Sequence, residues 1–284
     1  MFWLVFVTLI SIGITYFFYR HRTNQQFLQQ RFDQVIGLRQ LIDLLRFHRR
    51  QTHKVLTLQG KSIAQPMLAE SLAIQRLSKT LLSQAEQAHK PMYRVLQQRT
   101  ATMLSEWHQY NIQRNQIVHG KMIRHVLYLI DDTITQSLLN TDKATQFQHY
   151  QTIWPIILNA IDNLTRYRYA IEKYQTGIPA TTREIEVHVE IFHRRLEQIS
   201  MQVHQPVPPL FIDNLRQQFN AIQIEQLPVA QAKLRLYQHS LKLSDALYLL
   251  FDLVLNDIAD DIAVNLPKRK QENATNETSQ GLTS

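Results

Sequence analysis

A chain of 284 residues is long enough for one or two domains with a sizeable core, and the absence of cysteine excludes disulfides, thiol catalysis and cysteine-ligated zinc or iron–sulfur centres. Only six glycines, few alternating β-branched runs and an abundance of Leu, Gln, Ile and Arg mark an all-α protein. The net charge of +8 admits nucleic acid, anionic lipid or small anions, but the cations are spread along the chain with no compact motif beside them, which argues against nucleic acid.

Residues 2–19 read FWLVFVTLISIGITYFFY and carry no charge. That is close to the minimum length for a helix crossing the hydrocarbon core, with Trp3, Tyr16 and Tyr19 suited to the interfacial belts. No Lys or Arg precedes the run, and Arg20, His21 and Arg22 follow it, so the pattern predicts an uncleaved transmembrane anchor over 1–22 instead of a signal peptide. The basic flank places the bulk of the chain in the cytoplasm, as a single-pass protein of the inner (cytoplasmic) membrane; a periplasmic bulk is the alternative.

Apolar residues then recur at helical spacing from Asn24 to about Leu58, in a helix that continues from the anchor and ends at Gly60 as a C-cap. A second helix is predicted from Pro66 to His89, with a break at Lys90-Pro91. Helical patterning resumes from Met92 to Leu139 and is interrupted near Gly120; Trp107 and Tyr110 are expected in the core. Thr141 caps a helix from Asp142 to Gln175 that Pro155 kinks and Gly177 and Pro179 stop. Thr181 or Thr182 caps the next helix, to His204, and the stiff segment QPVPP leads into a shorter one over 209–224. Pro228 opens a final helix to Val264, and the polar residues 267–284 read as a disordered tail.

Two places hold charge against this apolar pattern. On a helix, Arg46, Arg49, Arg50 and His53 fall within an arc of about 100° beside Leu38, Leu41, Leu45 and Leu56. Cations drawn toward a core cost free energy unless something of opposite sign meets them, and no acidic run is evidently placed to do so. A small anion, a phosphate or a partner meets that need; long side chains snorkelling to water remove it. Arg168 shares a face with Ile157, Ala160, Ile161, Leu164 and Ile171, and either a ligand or a salt bridge to Glu172, Glu184 or Glu190 accounts for it.

Signs of catalysis are weak. There is no Gly-rich phosphate loop, no GxSxG and no HExxH. His48/His53 and His119/His125 lack metal-ligand spacing, and the adjacent pairs Asp131/Asp132 and Asp260/Asp261 diverge on a helix. His119 near acids suggests a phosphotransfer helix, but no second element supports one.

Three segments, LIDLLRFHRRQTHKVLTLQG (41–60), HYQTIWPIILNAIDNLTRYR (149–168) and LYQHSLKLSDALYLLFDLVLNDI (236–258), resemble in order and spacing the nitrate- and nitrite-sensing (NIT) domain family, over about residues 31–262. The resemblance implies two stacked four-helix bundles, with arginines near their interface binding a planar oxyanion. Arg49 and Arg50 stand at the family's basic pair, Arg168 at the Arg of the later helix, and Arg235 near the start of the last helix. The family's usual Arg-Gly is here Arg49-Arg50-Gln51-Thr52-His53, which removes a close backbone approach.

The expectation is thus an all-α, membrane-anchored sensor or accessory domain (23–266), with no enzymatic activity, cofactor or metal. It would bind nitrate or nitrite through Arg46, Arg49, Arg50, Arg168 and Arg235. No output module is recognised after Val264, so signalling would pass through a protein partner, or within a homodimer. The alternative is a membrane-tethered helical scaffold without a small ligand, its arginines salt-bridged or facing solvent.

Overall fold

The computed structural model describes residues 2–57, 65–140, 143–208 and 210–264. They form eight α-helices: α1 (Phe2–Thr57), α2 (Gln65–Gln84), α3 (Lys90–Glu106), α4 (Ile112–Leu139), α5 (Ala144–Lys173), α6 (Pro179–Ser200), α7 (Phe211–Asn220) and α8 (Val229–Asp261). Short 3-10 turns lie at Trp107–Gln109 and Ile224–Gln226, and no strand occurs among the described residues. The chain is an all-α helical bundle.

The membrane anchor is corrected. Residues 2–19 are the opening turns of one 56-residue helix that continues through Arg20, Arg22, Arg31 and Arg39. A span needs about 20 predominantly apolar residues in succession. The described part of this stretch mixes Ser11, Thr15, Tyr16 and Tyr19 among its apolar residues and then meets Arg20. Among the described residues no helix is long and apolar enough to cross a membrane, which overturns both the 1–22 anchor and the single-pass inner-membrane location.

Within the bundle, Phe32, Val35, Leu38, Leu41, Ile42 and Leu45 recur every three or four residues and are all buried, which fixes the inward face of α1. A Cβ at Gly37 would lie 2.9 Å from Leu81 Cδ2, so the absent side chain is what lets α1 and α2 approach. In α1–α4 each helix packs on the next and α4 closes on α1; α5–α8 repeat the arrangement. The two groups meet where α4 packs on α5, and long side chains connect α1 to α8. One continuous apolar core runs through both groups, with Leu243, Leu247, Leu250, Phe251 and Val254 of α8 among its most buried members.

Several boundaries move. α2 ends at Gln84, before His89, and Lys90-Pro91 opens α3 instead of only breaking the chain. The interruption between Met92 and Leu139 lies at 107–111, not at Gly120, which sits inside α4. Asn111 sets the true start of α4: its backbone is extended, and its Oδ1 accepts the Arg114 backbone N–H at 2.7 Å. Tyr110 is buried and Trp107 half-buried. Pro155 is accommodated inside α5. Gly177 takes the left-handed φ of +81° that ends the turn after α5, and Pro179 begins α6. Pro228 stands at the N-cap of α8. Gly60, Thr141 and the 267–284 tail lie outside the described residues.

Candidate functional site

The arginines of α1 form a graded series. Arg31 makes a two-pronged contact with Glu86, Nε to Oε1 at 2.8 Å and Nη2 to Oε2 at 3.3 Å. Arg39 donates to both oxygens of Asp252 at 2.5 and 3.0 Å and to Asp43 at 2.6 Å. Burial works against the Arg39 charge, but these two carboxylates hold its pKa above the usual value. Arg46 donates to Asp43 at 3.2 Å and also to Asp245, which Arg50 shares. The Tyr248 ring receives both Arg39 and Arg46, at 4.9 and 4.2 Å from its centroid. The counter-charge on α1 therefore comes partly from its own Asp43 and partly from Asp245 and Asp252 of α8, two turns apart.

Arg49 breaks the series. It is 5% exposed, its side chain forms no ion pair or hydrogen bond among the described residues, and its buried Nε has no acceptor. Burial pushes its pKa down to about 10; Tyr237 opposes the shift, while the charges of Arg46 and Arg50 add to it. Arg168, from α5, is also 5% exposed. Its Nε donates to Ser240 Oγ at 3.2 Å and its Nη2 to the Ser240 carbonyl at 3.3 Å. None of Glu172, Glu184 or Glu190 reaches it, and among the described residues it has no carboxylate partner. Burial, then the Arg49 charge, pushes its pKa far down. The two guanidinium groups thus lie within electrostatic reach of each other, two like charges in a dry interior.

The walls around them are polar in an unusual way. Tyr237, Ser240, Ser244 and Tyr248 share one face of α8, and the Tyr237 hydroxyl and Ser244 Oγ are buried without a partner. His53, one turn beyond Arg49, lies flat on the Tyr237 ring with centroids 3.7 Å apart and planes 19° from parallel. Its Nδ1 lies 3.1 Å from Gln116 Nε2 of α4, and the Gln116 Oε1 is buried without a partner. Gln116 and Arg168 also line a cleft of about 200 Å³ between α4 and α5, so the Arg168 side chain borders an opening toward the surface; Arg49 does not line it.

No family model, curated protein or solved structure matches this chain, so the chemistry of the site rests on its own residues. Among the described residues no group of three His, Asp or Glu side chains is placed to hold a metal ion. What gathers here is donors: two guanidinium forks and the Tyr237 phenol. Such a set stabilises negative charge, and planar forks suit a planar oxyanion better than a round ammonium does.

Of the residues singled out in the sequence, the structure brings together Arg49 and Arg168. Arg46 lies within electrostatic reach of both but is held by Asp43 and Asp245, and Arg50 turns to Asp245. Arg235 is exposed on α8 and does not join them. Sequence reasoning missed Tyr237, Ser240, Ser244, Tyr248 and Gln116, and gave His53 no role. The available signal was the recurrence of Tyr, Ser, Ser and Tyr at three- and four-residue spacing along one buried face of α8.

Proposed function

We propose that this protein is a receptor for a small planar oxyanion, nitrate or nitrite, held between Arg49 of α1 and Arg168 of α5. The observation that carries this reading is that Arg31, Arg39 and Arg46 of α1 all meet carboxylates while Arg49 meets none, and the Arg49 charge is felt by a second buried arginine without a carboxylate, Arg168. Leaving a buried charge unpaired costs several kcal/mol, which a bound anion removes. The resemblance of 41–60, 149–168 and 236–258 to the NIT family points to the same ligand.

The two arginines belong to different four-helix groups, so an anion between them fastens α1 to α5. Ligand binding thereby biases how the groups pack, and a partner protein or a second copy of the chain reads the change. The reading is one of binding and signalling, without catalysis. A scaffold role is favoured for one part of the cluster only: Arg46 and Arg50, on either side of Arg49, share Asp245, and Arg46 also meets Asp43.

Calorimetric titration of the full chain with nitrate and nitrite tests this. The expected result is saturable binding with one anion per chain, weakened at least tenfold by Arg49→Gln or Arg168→Gln. The absence of heat at millimolar anion, with the protein shown to be folded, sinks it.

A further inference from the structure

His53 occupies a place that the anion reading alone does not use. It is buried, lies on the Tyr237 ring of α8, and faces Arg49 on its own helix, Arg168 on α5 and the uncharged Gln116 on α4. Among the described residues no carboxylate contacts it. Gln116 Nε2 can only donate, so Nδ1 accepts and neutral His53 carries its proton on Nε2.

We infer that an anion enters the Arg49–Arg168 site together with a proton, which His53 takes up on Nδ1. This rests on the anion-binding reading and extends it to how binding is regulated. Unliganded, burial, then the Arg168 and Arg49 charges, push the His53 pKa down to about 4. An anion between the guanidinium groups cancels most of that repulsion and attracts an imidazolium, so the pKa rises on binding. Linkage then requires the anion to bind more tightly as pH falls toward the unliganded pKa.

The surroundings suit both protonation states. When Nδ1 gains a proton, the Gln116 donor no longer fits, but a half-turn of the amide presents Oε1, which is buried without a partner, as the acceptor. His119, the other histidine that feels Arg49, has no such freedom. Its Nδ1 donates to the Asn115 carbonyl at 2.9 Å, and its Nε2 is engaged by His48 Nδ1 at 2.8 Å, so protonating it breaks the contact between the rings.

The test is nitrate binding to the full chain by calorimetry from pH 7.5 to 5, in buffers of different ionisation enthalpy at each pH. Nitrate carries no proton in this range. The expected result is net proton uptake that grows as pH falls, with the dissociation constant tightening by up to about tenfold for each pH unit below the liganded His53 pKa. His53→Gln should bind nitrate with no proton uptake and a pH-independent affinity. Wild-type binding without proton uptake overturns the inference and leaves the anion site standing, as does uptake that persists undiminished in a folded His53→Gln protein. No nitrate binding at any pH overturns the anion reading itself and this inference with it.

Discussion

Arg49 and Arg168 are costly residues. Each guanidinium is nearly free of solvent, each lacks a carboxylate among the described residues, burial lowers the preference of both for carrying charge, and the Arg49 charge lowers that of Arg168 further. An apolar side chain of similar length removes that cost, even though Arg168 also loses its bonds to Ser240. Arg168→Met is therefore expected to stabilise the unliganded protein by about 1–4 kcal/mol in urea unfolding while abolishing stabilisation by nitrate. A variant that is less stable and still responds to nitrate would show that Arg168 is a structural residue. Arg39→Met should behave oppositely, because it takes from Asp252 and Asp43 the cation they share, although Asp43 keeps its contact with Arg46; a destabilisation of about 1–3 kcal/mol is expected.

Helix boundaries divide between those written in local chemistry and those set by packing. Asn111 belongs to the first kind: Asn111→Ala removes the acceptor for the Arg114 N–H and should cost about 1 kcal/mol in thermal or urea unfolding. The same change at Thr181 should cost less, because its hydroxyl serves an exposed turn. The all-α character, the inward face of α1 and the stops at Gly177 and Pro179 were legible because apolar period, glycine and proline act over a few residues. The α3–α4 break was legible too, in Asn111, but Gly120 was weighted above it. Arg168 was legible as a misplaced charge for the same periodic reason. Asp43 was legible as a partner at helical spacing from Arg39 and Arg46, but the partners on α8 were not. Asp245 and Asp252 lie about two hundred residues beyond Arg46 and Arg39, and which carboxylate meets which arginine depends on how the two four-helix groups dock. Stopping at Arg49 in that series requires tertiary structure, which is why Arg46, Arg49 and Arg50 looked alike in sequence. The anchor read into 2–19 came from treating an apolar stretch by itself; the structure makes it the opening of a longer helix.

The whole molecule should be acid-sensitive. Burial is the main cause that pushes His48, His53, His193 and His239 down to about 4 and His119 well below its usual value. Unfolded, these imidazoles take up protons once the pH falls below about 6.5; folded, the first four resist until about 4. The unfolded state therefore binds more protons across that window, and stability falls with pH by up to about 1.4 kcal/mol per unit for each histidine. Denaturant midpoints should be level near pH 7.5 and drop steadily from pH 6.5 to pH 4.5; a flat profile would mean these rings are accessible to protons. Nitrate should counter the loss in two ways: mass action adds about 2.7 kcal/mol at a hundredfold excess over the dissociation constant, and the added stability should grow at low pH because His53 then favours the bound state. The most direct check on the central claim is a crystal structure of the full chain grown with nitrate. A flat anion within hydrogen-bonding distance of both Arg49 and Arg168, adjacent to Tyr237, is the predicted result. A carboxylate side chain lying between those two guanidinium groups, or nitrate bound only elsewhere, would contradict it.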